Sequence, residues 1–407
     1  MRTYRELFRT PEFTPLFLAS AAQVAAQTVS GLALSTLVHR ATGSALLSAL
    51  AMFGPALAQV VGATTLLSAA DRLPPRAAMT GLAVLFGLGT AVQAVPGLPV
   101  WAVFAVLAVL GVLASLGGGV RYGLLHEIVA KDGYLLGRSL LNTSVGVTQI
   151  CGFGLGGVLV ATVSPRGTLL TGAALYVAAA AVARFGLARR PPRAAGRASV
   201  ATTWRDNARL WSSRPRRYVY LALWVPNGLI VGCESLFVPY APQDAGPLFA
   251  SAAAGMLAGD ILTGRFLPTR WRRGLAAPLL VLLAAPYALL ALRPPLPAAV
   301  AAVALSALGY SASLLLQERL MALTPDELSG HALGLHTSGM LTMQGVGAAL
   351  AGTAAELTSP ATAMAVMATA SVAVTLALSR GLSRGERKRA VARPPAGRRA
   401  TRRHVRR

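Results

Sequence analysis

The sequence predicts an all-α membrane protein with twelve transmembrane helices in two six-helix bundles. Three observations carry that prediction. Apolar runs of about 20 residues, the length needed to cross a hydrocarbon layer, recur along the whole chain. The loops between them carry their positive charge on alternate sides. The second half also repeats landmarks of the first. At 54% hydrophobic and 13% charged, with a mean hydropathy of +0.57, the chain is too apolar for an ordinary soluble domain of 407 residues.

Taken in order, the runs at 13–38, 45–69, 77–95, 100–119, 140–163 and 168–188 give six spans. Those at 218–240, 247–262, 275–292, 298–316, 333–357 and 361–378 give six more. The eighth is the weakest, being short and carrying Asp260. Without it every later loop changes sides, and Arg270, Arg272 and Arg273 fall on the wrong one. The N-terminal bundle is read as 1–188 and the C-terminal bundle as 218–379. Between them, 189–217 is a basic cytoplasmic linker. It opens on a Pro/Arg-rich run, Arg189 to Arg193, and continues with Trp204, Ala208 and Trp211 at helical spacing, which predicts a short interfacial helix. The Arg-rich stretch 380–407, with Pro394 and Pro395, reads as a disordered cytoplasmic tail that lies against anionic lipid. Met1 to Thr10 is polar and basic, and the run after it is too long for a cleaved signal, so the first span is expected to act as its own insertion signal.

Of the 38 Lys and Arg residues, all but Arg40, Arg166 and Arg293 fall on the side of the N-terminus. Cationic loops resist translocation, so this bias places both termini in the cytoplasm. The abundance of Arg and Ala points to a GC-rich bacterial genome, and hence to a bacterial plasma membrane. The net charge of +24 sits in loops and tail, without aromatic residues interleaved on a folded basic face. Anionic headgroups of the inner leaflet are therefore the expected counter-charge, and nucleic acid is not an expected partner.

Gln149, Gly152, Gly157 and the Ser164-Pro165 pair recur 195 positions later as Gln344, Gly347, Gly352 and Ser359-Pro360. The RLPPR stretch Arg72–Arg76 loosely matches RFLPTR at Arg265–Arg270. Two six-span halves of like orientation form a parallel repeat, an arrangement that places substrate between the halves near the bilayer midplane.

Several of these stretches resemble the major facilitator superfamily. Tyr4–Phe13 and Thr42-Gly43-Ser44 are similar to the first two spans of its bacterial multidrug and siderophore exporters. Asp71 to Arg76 resembles its signature loop, with Pro74 where Gly is usual, and Gly146 to Gly157 resembles the glycine-rich fifth span of its antiporters. The resemblance implies two bundles, alternating access and export driven by proton entry. It also implies an inter-helix gate contact at Asp71, supported by Arg72 and Arg76. Gln27 stands where many relatives carry an acid.

An ionisable side chain at membrane depth costs about 2.5–3.5 kcal/mol or more, so it must face a partner or a wet cavity. Glu234 is the first candidate for proton coupling. Trp224, Asn227, Val231 and Glu234 fall on one arc of the seventh span, so an aromatic, an amide and a carboxyl are expected to face one cavity; the plainer account is an acid reachable by water from the outer end. Asp260, five residues before Arg265 and close to the cytoplasmic end, is a second candidate, or one half of a structural ion pair or gate contact. Arg121, near Glu127, is a third because the resemblance implies a proton-relay arginine there; the plainer account is a positive-inside anchor. Gln27 and Tyr310, with Trp224 and Asn227, are candidate cavity residues. Gly152, Gly154, Gly156 and Gly157 permit close helix packing.

Cys151 and Cys233 both lie in apolar runs, and the five His residues are dispersed, so neither a disulfide framework nor a metal site is predicted. No phosphate-binding loop is present, and no enzyme signature or cofactor is expected. The expected function is secondary active export of a hydrophobic or amphipathic small molecule in exchange for protons. An importer or uniporter on the same fold, and a non-transporting scaffold or sensor, remain as alternatives.

Overall fold

The computed structural model describes residues 4–66, 73–129, 133–192 and 200–392. After a short helix, Tyr4–Phe8, the first six spans are α1 (Phe13–Thr42), α2 (Ala45–Phe53 and Pro55–Leu66), α3 (Pro75–Gln93), α4 (Val100–Ile128), α5 (Tyr134–Thr162) and α6 (Pro165–Gly186). A linker helix, Val200–Ser212, follows. The second six are α7 (Arg214–Ser235 and Phe237–Tyr240), α8 (Ala245–Ile261, then π-helical Leu262–Phe266) and α9 (Thr269–Ala284, then 3₁₀ Ala285–Leu292). They continue with α10 (Leu296–Leu308, 3₁₀ Gly309–Ser311, Ala312–Ala322), α11 (Ser329–Leu357) and α12 (Pro360–Ala392). Among the described residues eleven of these are long and apolar enough to cross a membrane. The twelfth, α11, has 29 residues but is diluted by His331, His336, Gln344 and many Gly and Thr.

The helices overrun the apolar runs at one face. α4 continues to Ile128, α5 begins at Tyr134, and the related α10 and α11 do the same. Backbone hydrogen bonding does not stop where the side chains turn polar, and Arg, Leu and Glu are good helix formers. α12 runs on to Ala392, past the last apolar run and into the Arg-rich stretch. Arg, Lys and Glu favour helix there, and cations suit a helix C-terminus.

Packing follows the repeat. α1 packs on α6 and α5 as α7 packs on α12 and α11; α2 packs on α4 as α8 packs on α10; α3 packs on α6 as α9 packs on α12. The halves meet along α2 with α11 and α5 with α8. Lipid tails are as apolar as Leu, so such contacts depend on close approach rather than on a hydrophobic drive. A Cβ on Gly347 would overlap the Gly228 carbonyl, which seats α7 directly on α11.

The C-terminal bundle holds one continuous core, including Tyr220, Leu223, Ile230, Phe237, Leu283 and Met364. In the N-terminal bundle the core divides into a cluster around Phe13, Leu82 and Leu124 and another around Leu34, Val103 and Leu169. Exposed Trp101, Phe185 and Leu292 point away from the bundles, as lipid-facing residues do. The face bearing the N-terminal helix and the linker is called the linker face, and its opposite the far face.

Candidate coupling and gating sites

Glu234 sits in α7 at 7% exposure. It accepts hydrogen bonds from the Tyr310 hydroxyl of α10 at 3.1 Å and the Tyr287 hydroxyl of α9 at 3.4 Å. Three helix irregularities meet there. The α-helix of α7 breaks after Ser235, α9 tightens to 3₁₀ from Ala285, and α10 does so at Gly309–Ser311. Pro286 supplies no N–H for a regular turn. A Cβ on Gly309 would overlap the backbone of α9 at Leu283, whose carbonyl also accepts a bond from Ser306. Local distortion thus brings two tyrosines from separate helices onto one carboxyl.

The residues expected on one arc of α7 meet different helices in the structure. Trp224 donates to the His336 carbonyl at 3.0 Å, and Asn227 accepts from Gln344 at 3.3 Å, both on α11. Gly228 and Gly232 also touch α11. The α11-facing line therefore runs through 224, 228 and 232 at four-residue steps, and Glu234 lies about 200° around the helix from Gly232. It lies only about 20° from Asn227, seven residues earlier, but its partners come from α9 and α10 whereas those of Trp224 and Asn227 come from α11. Tyr310, expected on the cavity wall, is the buried partner of Glu234 instead. Tyr287 was not singled out in the sequence; only its place beside Pro286 marks it.

Asp260 is exposed on α8, one residue before the last α-helical position. Its expected ion pair with Arg265 does not form: the Arg265 guanidinium lies over Phe266, 5.8 Å from the ring centroid. The π-helical turn between them rotates Arg265 off the α-helical register. Arg121 lies over Tyr122 at 5.2 Å, and its Nε is buried without a hydrogen-bond partner. Glu127 instead meets Arg190 at 3.6 Å. Gln27 is exposed midway along α1, between Ala26, which packs toward Gly172 of α6, and Thr28, which packs on Gly152 of α5.

Of the signature loop, Asp71 and Arg72 lie outside the described residues, and Arg76 stands half-buried in the first turn of α3. Among the four packing glycines, Gly152 meets Thr28, Gly156 meets Val29 and Leu32, and Gly157 meets Gly246. Gly154 departs from expectation, since a Cβ there would meet nothing within 4 Å.

The halves touch on the far side of the molecule. A Cβ on Gly157 would come within 2.9 Å of the Gly246 Cα, and one on Gly352 within 2.6 Å of the Leu46 Cα. Gly43, at φ +65° in the left-handed region that suits glycine, turns the chain from α1 into α2. Ser44 then caps α2, accepting from the Leu47 N–H at 3.0 Å. Glu356, from the end of α11, accepts from both the Ser44 hydroxyl and the Leu46 N–H. One half thus supplies an acid to the helix N-terminus of the other, where the helix dipole favours negative charge. A cleft of about 450 Å³, lined in part by His39, Ser44, Pro239 and Glu356, opens beside it. Among the described residues the ion pairs at the linker face stay within a half: Arg190 with Glu12 at 2.7 Å, and Arg272 with Glu318 at 3.6 Å.

Known proteins share this architecture. The nucleoside transporter NupG, as a point mutant, superposes with a TM-score of 0.75 at 13% identity, over 91% of this chain and 99% of that one. A POT family transporter in complex with 5-aminolevulinic acid gives 0.73 at 10% identity, over 91% and 96%. A bacterial homologue of the human lysosomal transporter Spinster, inward-facing and unoccupied, gives 0.71 at 14% identity, over 96% and 99%. At these identities the likeness establishes the fold alone. Among curated proteins, none matches the sequence. The family model for the Major Facilitator Superfamily matches residues 16–317. With twelve helices in two repeated bundles and a family match over most of its length, the chain belongs to the major facilitator superfamily and has that family's transporter fold.

Proposed function

We propose that this protein exports hydrophobic or amphipathic small molecules across a bacterial plasma membrane, by alternating access and in exchange for protons. The cation bias of the loops supports a cytoplasmic linker face with both termini inside and anionic lipid around them. With the halves touching at the far face, substrate would load from the cytoplasm.

Glu234 carries the reading. A carboxyl in the membrane interior is a functional candidate by its cost alone, and this one is held by two tyrosine hydroxyls where three helices are irregular. As a carboxylate it accepts both bonds with charge assistance; as an acid it loses that assistance. A proton drives transport only if its affinity differs between the two conformations. Tyrosines on segments that can re-form their hydrogen bonding provide such a difference.

Purified protein in liposomes, given a pH gradient and a panel of lipophilic dyes, tests this. Wild type should move at least one dye against its gradient, and Glu234→Gln should lose gradient-driven movement while inserting normally. Unchanged transport by Glu234→Gln removes it from the mechanism, and dye accumulation in expressing cells would turn the reading to import. Activity that is lost with deletion of 380–407, folding intact, would favour a scaffold.

A further inference from the structure

α5 and α8 run antiparallel and touch through three rungs in one register. Gly157 meets Gly246 near the far face. Phe153 stacks on Phe249, with ring centroids 4.8 Å apart and planes 18° apart. A Cβ on Gly146 would lie 3.4 Å from Leu257. Each step along one helix is a step back along the other, and all three contacts keep that relation. Continued toward the linker face, the next rung sets Asn142 and Thr143 opposite Asp260, with Arg138 one turn, about 5.4 Å, beyond. Asn142, Thr143, Arg138 and Asp260 are all exposed. The helices therefore part where the charged groups begin.

The two walls of that opening are complementary. On one, the Arg121 and Arg138 guanidiniums share the Tyr122 ring, at 5.2 and 5.3 Å from its centroid, and the Tyr122 hydroxyl donates to Asn142 at 2.9 Å. Arg121 Nε is buried without an acceptor. On the other wall stands Asp260; among the described residues it has no cation within ion-pair distance, and neither arginine has a carboxylate. A buried donor without a partner is costly, and a second conformation that supplies one offsets the cost.

We infer that Asp260 and the Arg121–Arg138 pair are two parts of a latch that closes the linker face. When α5 and α8 swing together at that end, Asp260 accepts from the arginines, and the latch holds the state in which the far face is open. It is the counterpart of the Glu356 contact with α2 at the other face. The inference rests on alternating access, not on the identity of the driving ion or the substrate.

Spin labels on Ser139→Cys and Gly264→Cys, in full-length protein carrying Cys151→Ser and Cys233→Ala in lipid nanodiscs, report the distance across this opening. The expected result is a long and a short population. Asp260→Asn and Arg138→Gln should each lower the short fraction about tenfold relative to the long, the effect of one charge-assisted hydrogen bond. The exchange Asp260→Arg with Arg138→Asp should restore it, and Asp260→Glu should retain it. Two populations whose ratio ignores Asp260→Asn, or a charge exchange that restores nothing, would overturn the latch and leave alternating access standing. A single distance under every condition would overturn both.

Discussion

Glu234 shows how far one residue can be read without its neighbours. An acid inside an apolar run is conspicuous in the sequence, because the membrane penalises it whatever surrounds it. Its partners were not legible. Tyr287 and Tyr310 lie 53 and 76 positions away, and only the packing of α9 and α10 against α7 brings them in. The hydrogen bonds rank them: Tyr310→Phe removes the shorter one and should cut pH-driven transport about tenfold, whereas Tyr287→Phe should cost less. Transport assays of the two single variants against Glu234→Gln check the order. Trp224 and Asn227 were conspicuous too, and their partners were equally hidden. Helical spacing places them near Glu234, but which neighbouring helix each meets depends on packing: they bond α11, and Glu234 bonds α9 and α10.

At the scale of the helix, the count of spans was legible from run length, and the ends were not. Where α4, α5, α10 and α11 outlast their apolar runs, helix propensity continues past the point where hydropathy falls. The irregular turns in α9 and α10 were equally hidden: Pro286 marks one, but nothing in Gly309 to Ser311 announces a tightened turn. The repeated glycines were visible as a pattern, and the structure gives them unequal tasks. Gly347→Leu would force α7 off α11 and should lower the thermal unfolding midpoint by several degrees. Gly154→Ala, where a Cβ meets nothing, should leave it unchanged. Fluorescence-monitored thermal unfolding in detergent separates the two.

For the whole molecule, the internal repeat announced two like halves, and the packing pairs follow it helix by helix. Which face is closed could not be read from sequence, because that is a property of a conformation. Glu356 is the clearest case. It looks like an acid near a helix end, and only the docking of α11 on α2 makes it a cap for the opposite bundle. Glu356→Ala should weaken far-face closure. The expected outcome is faster reaction of an impermeant thiol reagent with Ala45→Cys, and equal labelling rates would remove Glu356 from the gate.

The linker helix carries a consequence for how the molecule moves. Leu210 is buried against Leu328 and Ala332, Trp211 stacks on Trp224, and Arg216 donates to the Leu210 and Arg209 carbonyls. Asp206 adds a contact to His331 at 3.7 Å. So anchored, the helix is a passenger of the second bundle, as Ala188 and Arg190, bonded to Glu12, are of the first. Fluorophores at Arg205 and Arg319 should keep one separation throughout a transport cycle, while a pair at Arg184 and Arg205 should lengthen and shorten with each turnover.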